Sequence, residues 1–233
     1  MSETVAEEEM LEDLQIDNLK IVQKANLYRY TSDSILLSRF ARVKMGDDVA
    51  DFCAGSGIVG LHFYALHQKE VKHVTFFEMQ ETLANMSRKT IEINGLTDRF
   101  SVECCKVQMI PAQYIEKFSL VLCNPPYEKG GFENRDHQKA ICRKELLLSL
   151  EELVRAAWRA TKYGGRFVLC HRADRLSEIF CVLHAQALEP KRLQLVSGTE
   201  NARPYLALIE AVKGGKPGLD VLPVAVNGHV TEE

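Results

Sequence analysis

Apolar residues along this chain alternate between two rhythms. Short runs bounded by turn residues read as buried strands: Asp48 to Ala54, His73 to Glu78, Phe100 to Cys105, Phe118 to Cys123 and Arg166 to His171. Between them, apolar positions recur at helical spacing over Ile58 to Leu66, Gln80 to Ile93, Lys139 to Thr161 and Asp174 to Ala187. In the third of these, Leu147, Leu150, Val154, Ala157 and Trp158 share one face, and Gly164-Gly165 reads as its stop; Asn94-Gly95 stops the second. A further helix is predicted to start near Asp33, where Thr31, Ser32 and Asp33 are each able to cap the apolar stretch Ile35 to Phe40. Arg192 to Val196 and Tyr205 to Val212 predict two closing strands with no helix between them.

Strand and helix alternate, so the fold class is α/β, a doubly wound Rossmann-like sheet that is mostly parallel with an antiparallel C-terminal hairpin. Neither a linker nor an internal repeat interrupts it. One domain from residue 19 to 233 is expected, and 233 residues with 46% hydrophobic content are ample for one core. Residues 1–18 form an acidic leader, expected to be flexible: its first thirteen residues hold Glu3, Glu7, Glu8, Glu9, Glu12 and Asp13 and no Lys or Arg. Those six carboxylates outweigh the formal charge of -3, so the rest of the chain is mildly basic and compatible with a nucleic acid. Seven Cys without a Cys-x-x-Cys pair, and no apolar signal segment at the start, predict reduced thiols and a cytoplasmic protein. No apolar run is long enough to suggest a membrane span. The His residues include no pair at metal-ligand spacing with a carboxylate, and Cys104-Cys105 reads as strand filler, so no metal is expected.

Chemistry enters after the first strand. Gly55-Ser-Gly-Ile-Val-Gly60 lies between a strand and a helix, with Glu78 at the end of the next strand. Glycines there let a nucleotide approach backbone amides, and an acid at Glu78 accepts hydrogen bonds from a ribose. NAD and S-adenosylmethionine both carry that ribose, and a plain tight turn also explains the glycines. Asp51, just ahead of the loop, favours the methyltransferase version. The deciding signal is Asn124-Pro125-Pro126-Tyr127 after the fourth strand. An Asn oxygen and a prolyl carbonyl accept hydrogen bonds from a planar NH2, two prolines hold those acceptors in place, and Tyr127 offers a face on which a base can stack. A planar amine is the implied substrate.

Together these residues resemble the Asn-Pro-Pro-Tyr class of methyltransferases, and the chain from about Leu19 to Glu232 resembles the bacterial tRNA(Val) adenine-N6 methyltransferase family. The likeness also includes Gln23 with Tyr28 to Leu37, Ala140 to Glu145, Gly164 to Arg166, His171-Arg172 with Arg175-Leu176, Glu189 to Arg192, and Lys213 to Leu219. The resemblance implies a class I methyltransferase sheet, S-adenosylmethionine as cofactor and the N6 amine of an adenosine beside a tRNA anticodon as acceptor. It places Asn124, Pro125, Pro126 and Tyr127 at the amine, and Thr31, Asp33, Asp51, Gly55, Gly57, Glu78 and Asn124 at the cofactor. Where such enzymes often have an acid after the third strand, near the cofactor's adenine, this chain has Glu103-Cys104-Cys105-Lys106; either Glu103 or a backbone group substitutes, or the contact is missing. Arg143, Lys144, Arg172, Arg175, Lys191 and Arg192 are candidate RNA contacts, with solvated helix faces as the competing explanation. Protein-glutamine methylation, which uses the same acceptors, and a non-catalytic cofactor-binding partner role remain alternatives.

Overall fold

The computed structural model describes residues 9–24, 32–126 and 148–226. Its centre is a nine-stranded sheet. Strand β3 (Asp47–Phe52) lies in the middle, and the chain first runs outward through helix α2 (Ile58–Leu66), β4 (Val71–Glu78), helix α3 (Glu81–Ile93) and β5 (Phe100–Cys104). It then returns to the other side of β3 with β6 (Phe118–Cys123), helix α4 (Leu150–Ala160) and β7 (Thr161–Arg172). These five strands are parallel, in the order β5-β4-β3-β6-β7. Strand order therefore reverses between β3 and β6, and a crevice opens at their carboxyl ends, where open α/β sheets hold ligands.

After helix α5 (Leu176–Ala185) come β8 (Leu188–Ser197) and β9 (Leu206–Lys213), an antiparallel hairpin as the sequence predicts. Its placement is less obvious. Strand β9 inserts between β7 and β8, antiparallel to both, and the short strands β10 (Asp220–Val221) and β11 (Ala225–Val226) pair with β8.

Side-chain parity sorts the sheet into two cores. Val49, Leu120, Leu122, Val168 and Cys170 face helix α1 (Ser32–Phe40) and α2, joining Leu36, Leu37, Phe40, Leu61 and Phe63. Ala50, Phe52, Val121, Cys123, Phe167 and Leu169 face α4 and α5, joining Leu153, Val154, Ala157, Ile179 and Leu183. Strands buried on both faces explain the unbroken apolar runs in the sequence.

Three expectations are corrected. The leader is not flexible throughout: β1 (Glu9–Asp13) pairs antiparallel with β2 (Lys20–Lys24), and Glu9 accepts from Lys89 Nζ of α3 at 2.8 Å on both oxygens. Residues 1–8 lie outside the described residues. Of the helix predicted over Lys139 to Thr161, residues 139–147 lie outside the described residues, and among the described ones the helix begins only at the Ser149 cap. The Ser149 hydroxyl accepts from the Glu152 N–H at 3.2 Å, and the Glu152 carboxylate accepts from the Ser149 N–H at 2.9 Å, a reciprocal cap. Gly164-Gly165 does not end that helix either. The helix stops at Ala160, Thr161 Oγ donates back to Ala157 O at 2.6 Å, and the two glycines sit in a bulge of β7 where Phe118 pairs with Thr161 but Leu120 with Arg166.

Candidate active site

The carboxyl ends of β3 and β4 build one half of the crevice. Gly55 and Gly57 adopt left-handed backbone angles, φ 58° and 89°, and Gly57 leads directly into α2. A Cβ on Gly57 would lie 2.6 Å from the Phe76 ring, so this turn has no room for a side chain; a Cβ on Gly55 would meet nothing within 4 Å and marks the open side. Gly60 packs equally close, its ideal Cβ 2.7 Å from Phe76. The loop's glycines thus divide between helix packing and an open cradle.

Glu78 ends β4 with both oxygens engaged, Oε2 by the Gly55 N–H at 2.9 Å and Oε1 by the Gln80 N–H at 2.8 Å. Burial raises its carboxyl from the usual range, and the backbone donors of Gln80, Gly55 and Met79 oppose that. This ties the glycine turn to the acid that follows it. Asp51 is fully buried in β3: Oδ2 accepts from the Gly60 N–H at 2.8 Å, while Oδ1 has no partner. Burial pushes the carboxyl up to about 7, against the Gly60 hydrogen bond and assisted by the charge of Glu78. A buried, unpaired acceptor beside an open glycine turn suits a ligand that brings a donor or a cation.

The other half is the end of β6. Asn124 follows Cys123 directly, with Pro125 buried and Pro126 half-buried behind it. Its Nδ2 donates to Ser34 Oγ of α1 at 3.0 Å, and its Oδ1 accepts from the Cys170 thiol of β7 at 3.0 Å. Asn124 shares parity with Leu120 and Leu122, which places it on the α1 face with both partners.

A family model described as the methyltransferase small domain matches residues 30–174, well over half of the chain. The chain belongs to this family. Among curated relatives similar to it, a tRNA1(Val) (adenine(37)-N6)-methyltransferase of Shewanella sediminis is 27% identical over 75% of this chain and 72% of its own. Another of the same name from Bacteroides fragilis is 25% identical over 76% and 74%. The fold is similar to a predicted O-methyltransferase of Agrobacterium tumefaciens, TM-score 0.68 at 21% identity over 83% of this chain and 86% of that one. It is also similar to the M. jannaschii tRNA m1G37 methyltransferase, TM-score 0.60 at 14% identity over 91% and 57%.

As a member of the methyltransferase small domain family, the protein is an S-adenosylmethionine-dependent methyltransferase, and its crevice fits that cofactor. The N–H groups of Gly55, Gly57 and Gly60 are spent on Glu78, Ala54 and Asp51, so the turn offers the cofactor the open side of Gly55, and the Asp51 oxygen without a partner suits a positive or donating group. Of the other sequence-derived cofactor candidates, Asp33 is half-buried in the first turn of α1, next to Ser34, and Thr31 lies outside the described residues. Tyr127 also lies outside them, as do Arg143 and Lys144. At the end of β5, Glu103 is committed to the Tyr114 hydroxyl, and the exposed Cys104 thiol lies 4.0 Å from Met79 O.

Among the described residues, each candidate RNA cation has a partner within the protein. Arg172 pairs with Asp174, and Arg175 pairs with Glu178 at 2.6 Å, both near the carboxyl edge of β7. Lys191 donates to Lys216 O at 3.0 Å. Arg192 is a correction, because it is buried at 5% exposure, lies over the Phe40 ring at 4.5 Å and faces Glu210 at 3.4 Å. It braces α1 against the sheet and is unavailable to phosphate. Sequence reasoning missed Ser34 and Cys170, whose meeting with Asn124 depends on strand register: Cys123 pairs with Leu169, which brings the next residues together.

Proposed function

We propose that the protein transfers a methyl group to the exocyclic N6 amine of an adenosine in tRNA, adenine 37 of tRNA1(Val) being the named target of the relatives. The observation that carries this reading is the Asn124 carboxamide at the switch point, held with its oxygen defined, beside a crevice suited to the cofactor. Adenine N6 is a poor nucleophile because its lone pair is delocalised into the ring. Acceptors that take both of its hydrogens favour a pyramidal nitrogen and aim the freed lone pair, so orientation supplies much of the rate. Asn124 Oδ1 and the Pro125 carbonyl are those acceptors in this reading. S-adenosylmethionine, when bound, supplies an electrophilic methyl on a sulfonium. Asp51, Gly55, Gly57 and Glu78 hold the cofactor, with Asp33 beside them. No strong base is needed, since the product nitrogen sheds its proton readily.

We read residues 19–233 as one methyltransferase domain acting on tRNA in the cytoplasm, and among the described residues no helix is long and apolar enough to cross a membrane. The test is to incubate the protein with radiolabelled S-adenosylmethionine and separated tRNA, ribosomal RNA and protein pools from cells lacking the gene, then digest labelled RNA to nucleosides. The expected outcome is label in N6-methyladenosine from tRNA, reduced at least about a hundredfold in Asn124→Ala, the scale of losing a preorganised polar contact to the reacting group. Label on a glutamine amide with none in RNA overturns it.

A further inference from the structure

The Asn124 carboxamide has two buried partners, and their chemistry decides which way round it sits. Ser34 is 1% and Cys170 0% exposed, so water does not compete for either contact. A primary amide turned through half a circle keeps its shape but exchanges an acceptor for a two-hydrogen donor. Turned that way, Asn124 would meet an incoming amine donor against donor, and methyl transfer would stop.

The thiol prevents this only if it keeps its hydrogen. Burial, with Asp33 and Asp51 nearby, pushes Cys170 well above its ordinary value, so it remains S–H at neutral pH. A thiolate would act in the opposite sense, accepting from Nδ2 and favouring the turned amide. The S–H group is also a weak donor. It engages one lone pair of Oδ1 at 3.0 Å and leaves the other with most of its acceptor strength. Ser34 Oγ, 3.0 Å away, accepts from Nδ2 and holds the amide in place, while the thiol sets its direction because a hydroxyl can donate or accept.

We propose that Cys170, together with Ser34, is a positioning residue that holds the Asn124 carboxamide oxygen toward the target amine. This rests on the reading of Asn124 as an acceptor for that amine. Neither residue needs to touch substrate; both act through the amide.

The test compares the full-length protein with Cys170→Ala, Cys170→Ser, Ser34→Ala and the Cys170→Ala/Ser34→Ala double variant. Single-turnover methyl transfer to tRNA, KM for tRNA, cofactor Kd and Tm are measured for each. Cys170→Ala is expected to slow transfer about tenfold, the scale of one hydrogen bond, while KM and Kd stay within about twofold; Cys170→Ser, which keeps a donor, recovers most of the rate. Ser34→Ala loses rate similarly, and the double variant loses less than the product of the two because both act on one amide. Unchanged transfer in Cys170→Ala overturns the proposal. So does a loss that follows Tm or Kd and is not recovered by Cys170→Ser, which marks a packing role. If Cys170→Ala fails to fold, Cys170→Ser and Ser34→Ala carry the same comparison. Asn124→Ala in the same assay separates the two readings: if it stays active the acceptor reading fails, and if it is inactive while Cys170→Ala is not, only the positioning role fails.

Discussion

Gly55 and Gly57 share one turn but differ in what they forbid. Both backbones are left-handed, which costs an L-residue about 1–2 kcal/mol. At Gly55 that is the whole intrinsic penalty, since nothing lies within 4 Å of an added Cβ, whereas at Gly57 the Phe76 ring stands 2.6 Å away and has to move. Gly57→Ala is therefore expected to destabilise the fold by roughly 2–4 kcal/mol, as strain and overpacking add. Gly55→Ala should lose about 1–2 kcal/mol and weaken cofactor affinity more than stability; denaturant melts and calorimetric titration of both variants check the contrast. The residues that form a motif along the chain were legible here. Asp51, Gly55, Gly57, Glu78 and Asn124 converge at one crevice as their order on successive strands implies. Ser34 and Cys170 were not legible, because a Ser in a helix and a Cys in a strand acquire meaning only through the register of β7 on β6. Arg192 was misread for the converse reason: a cation looks the same in sequence whether it faces water or lies over Phe40.

Among the elements, α4 shows how local chemistry overrides periodicity. The apolar spacing of the sequence continues upstream of Leu150, but the reciprocal bonds between Ser149 and Glu152 fix the start of this helix. Ser149→Ala leaves the Glu152 N–H without its cap and is expected to cost about 1 kcal/mol, seen as a lower Tm with unchanged methyl transfer, because α4 packs on the face opposite Asn124. The β1–β2 hairpin was missed because its first strand, Glu9–Asp13, is acidic and reads as solvated chain. Pairing with Lys20–Lys24 and the Lys89 contact to Glu9 give that acidity partners. The central strands were read closely, since burial on both faces leaves short apolar-rich runs even where β3 carries Asp47, Asp48 and Asp51. The extra length of β7 was hidden by Gly164-Gly165, which signals a stop in sequence and is absorbed as a bulge in the sheet.

At the scale of the whole molecule, two buried groups set opposing pH trends. The Asp51 carboxyl rises from 3.8 to about 7, so between those values the folded chain holds a proton that the unfolded chain has released; its effect on stability becomes less favourable as pH rises through that window and is constant above it. His62, buried with its Nδ1 2.7 Å from Ser38 Oγ, falls from 6.5 to about 4, chiefly through burial. There the unfolded chain takes up the extra proton, so stability is lost as pH drops from 6.5 toward 4. The two slopes oppose each other over nearly the same range. Asp51→Asn removes one of them. It is expected to raise stability at pH 8 by up to about 4 kcal/mol, with a much smaller gain at pH 5. Tm measured at both pH values decides this, and an equal gain at the two excludes Asp51 ionisation as the cause.

Strand β9 inserts between β7 and β8, although it is made after both. While the protein is being synthesised, β7 and β8 therefore wait with bare edges facing a gap, and no earlier segment fills it. The sheet closes only after Lys213 has emerged. An interrupted translation product ending before Leu206 would expose two sticky edges together, making it a substrate for chaperones and proteases rather than a shorter working enzyme.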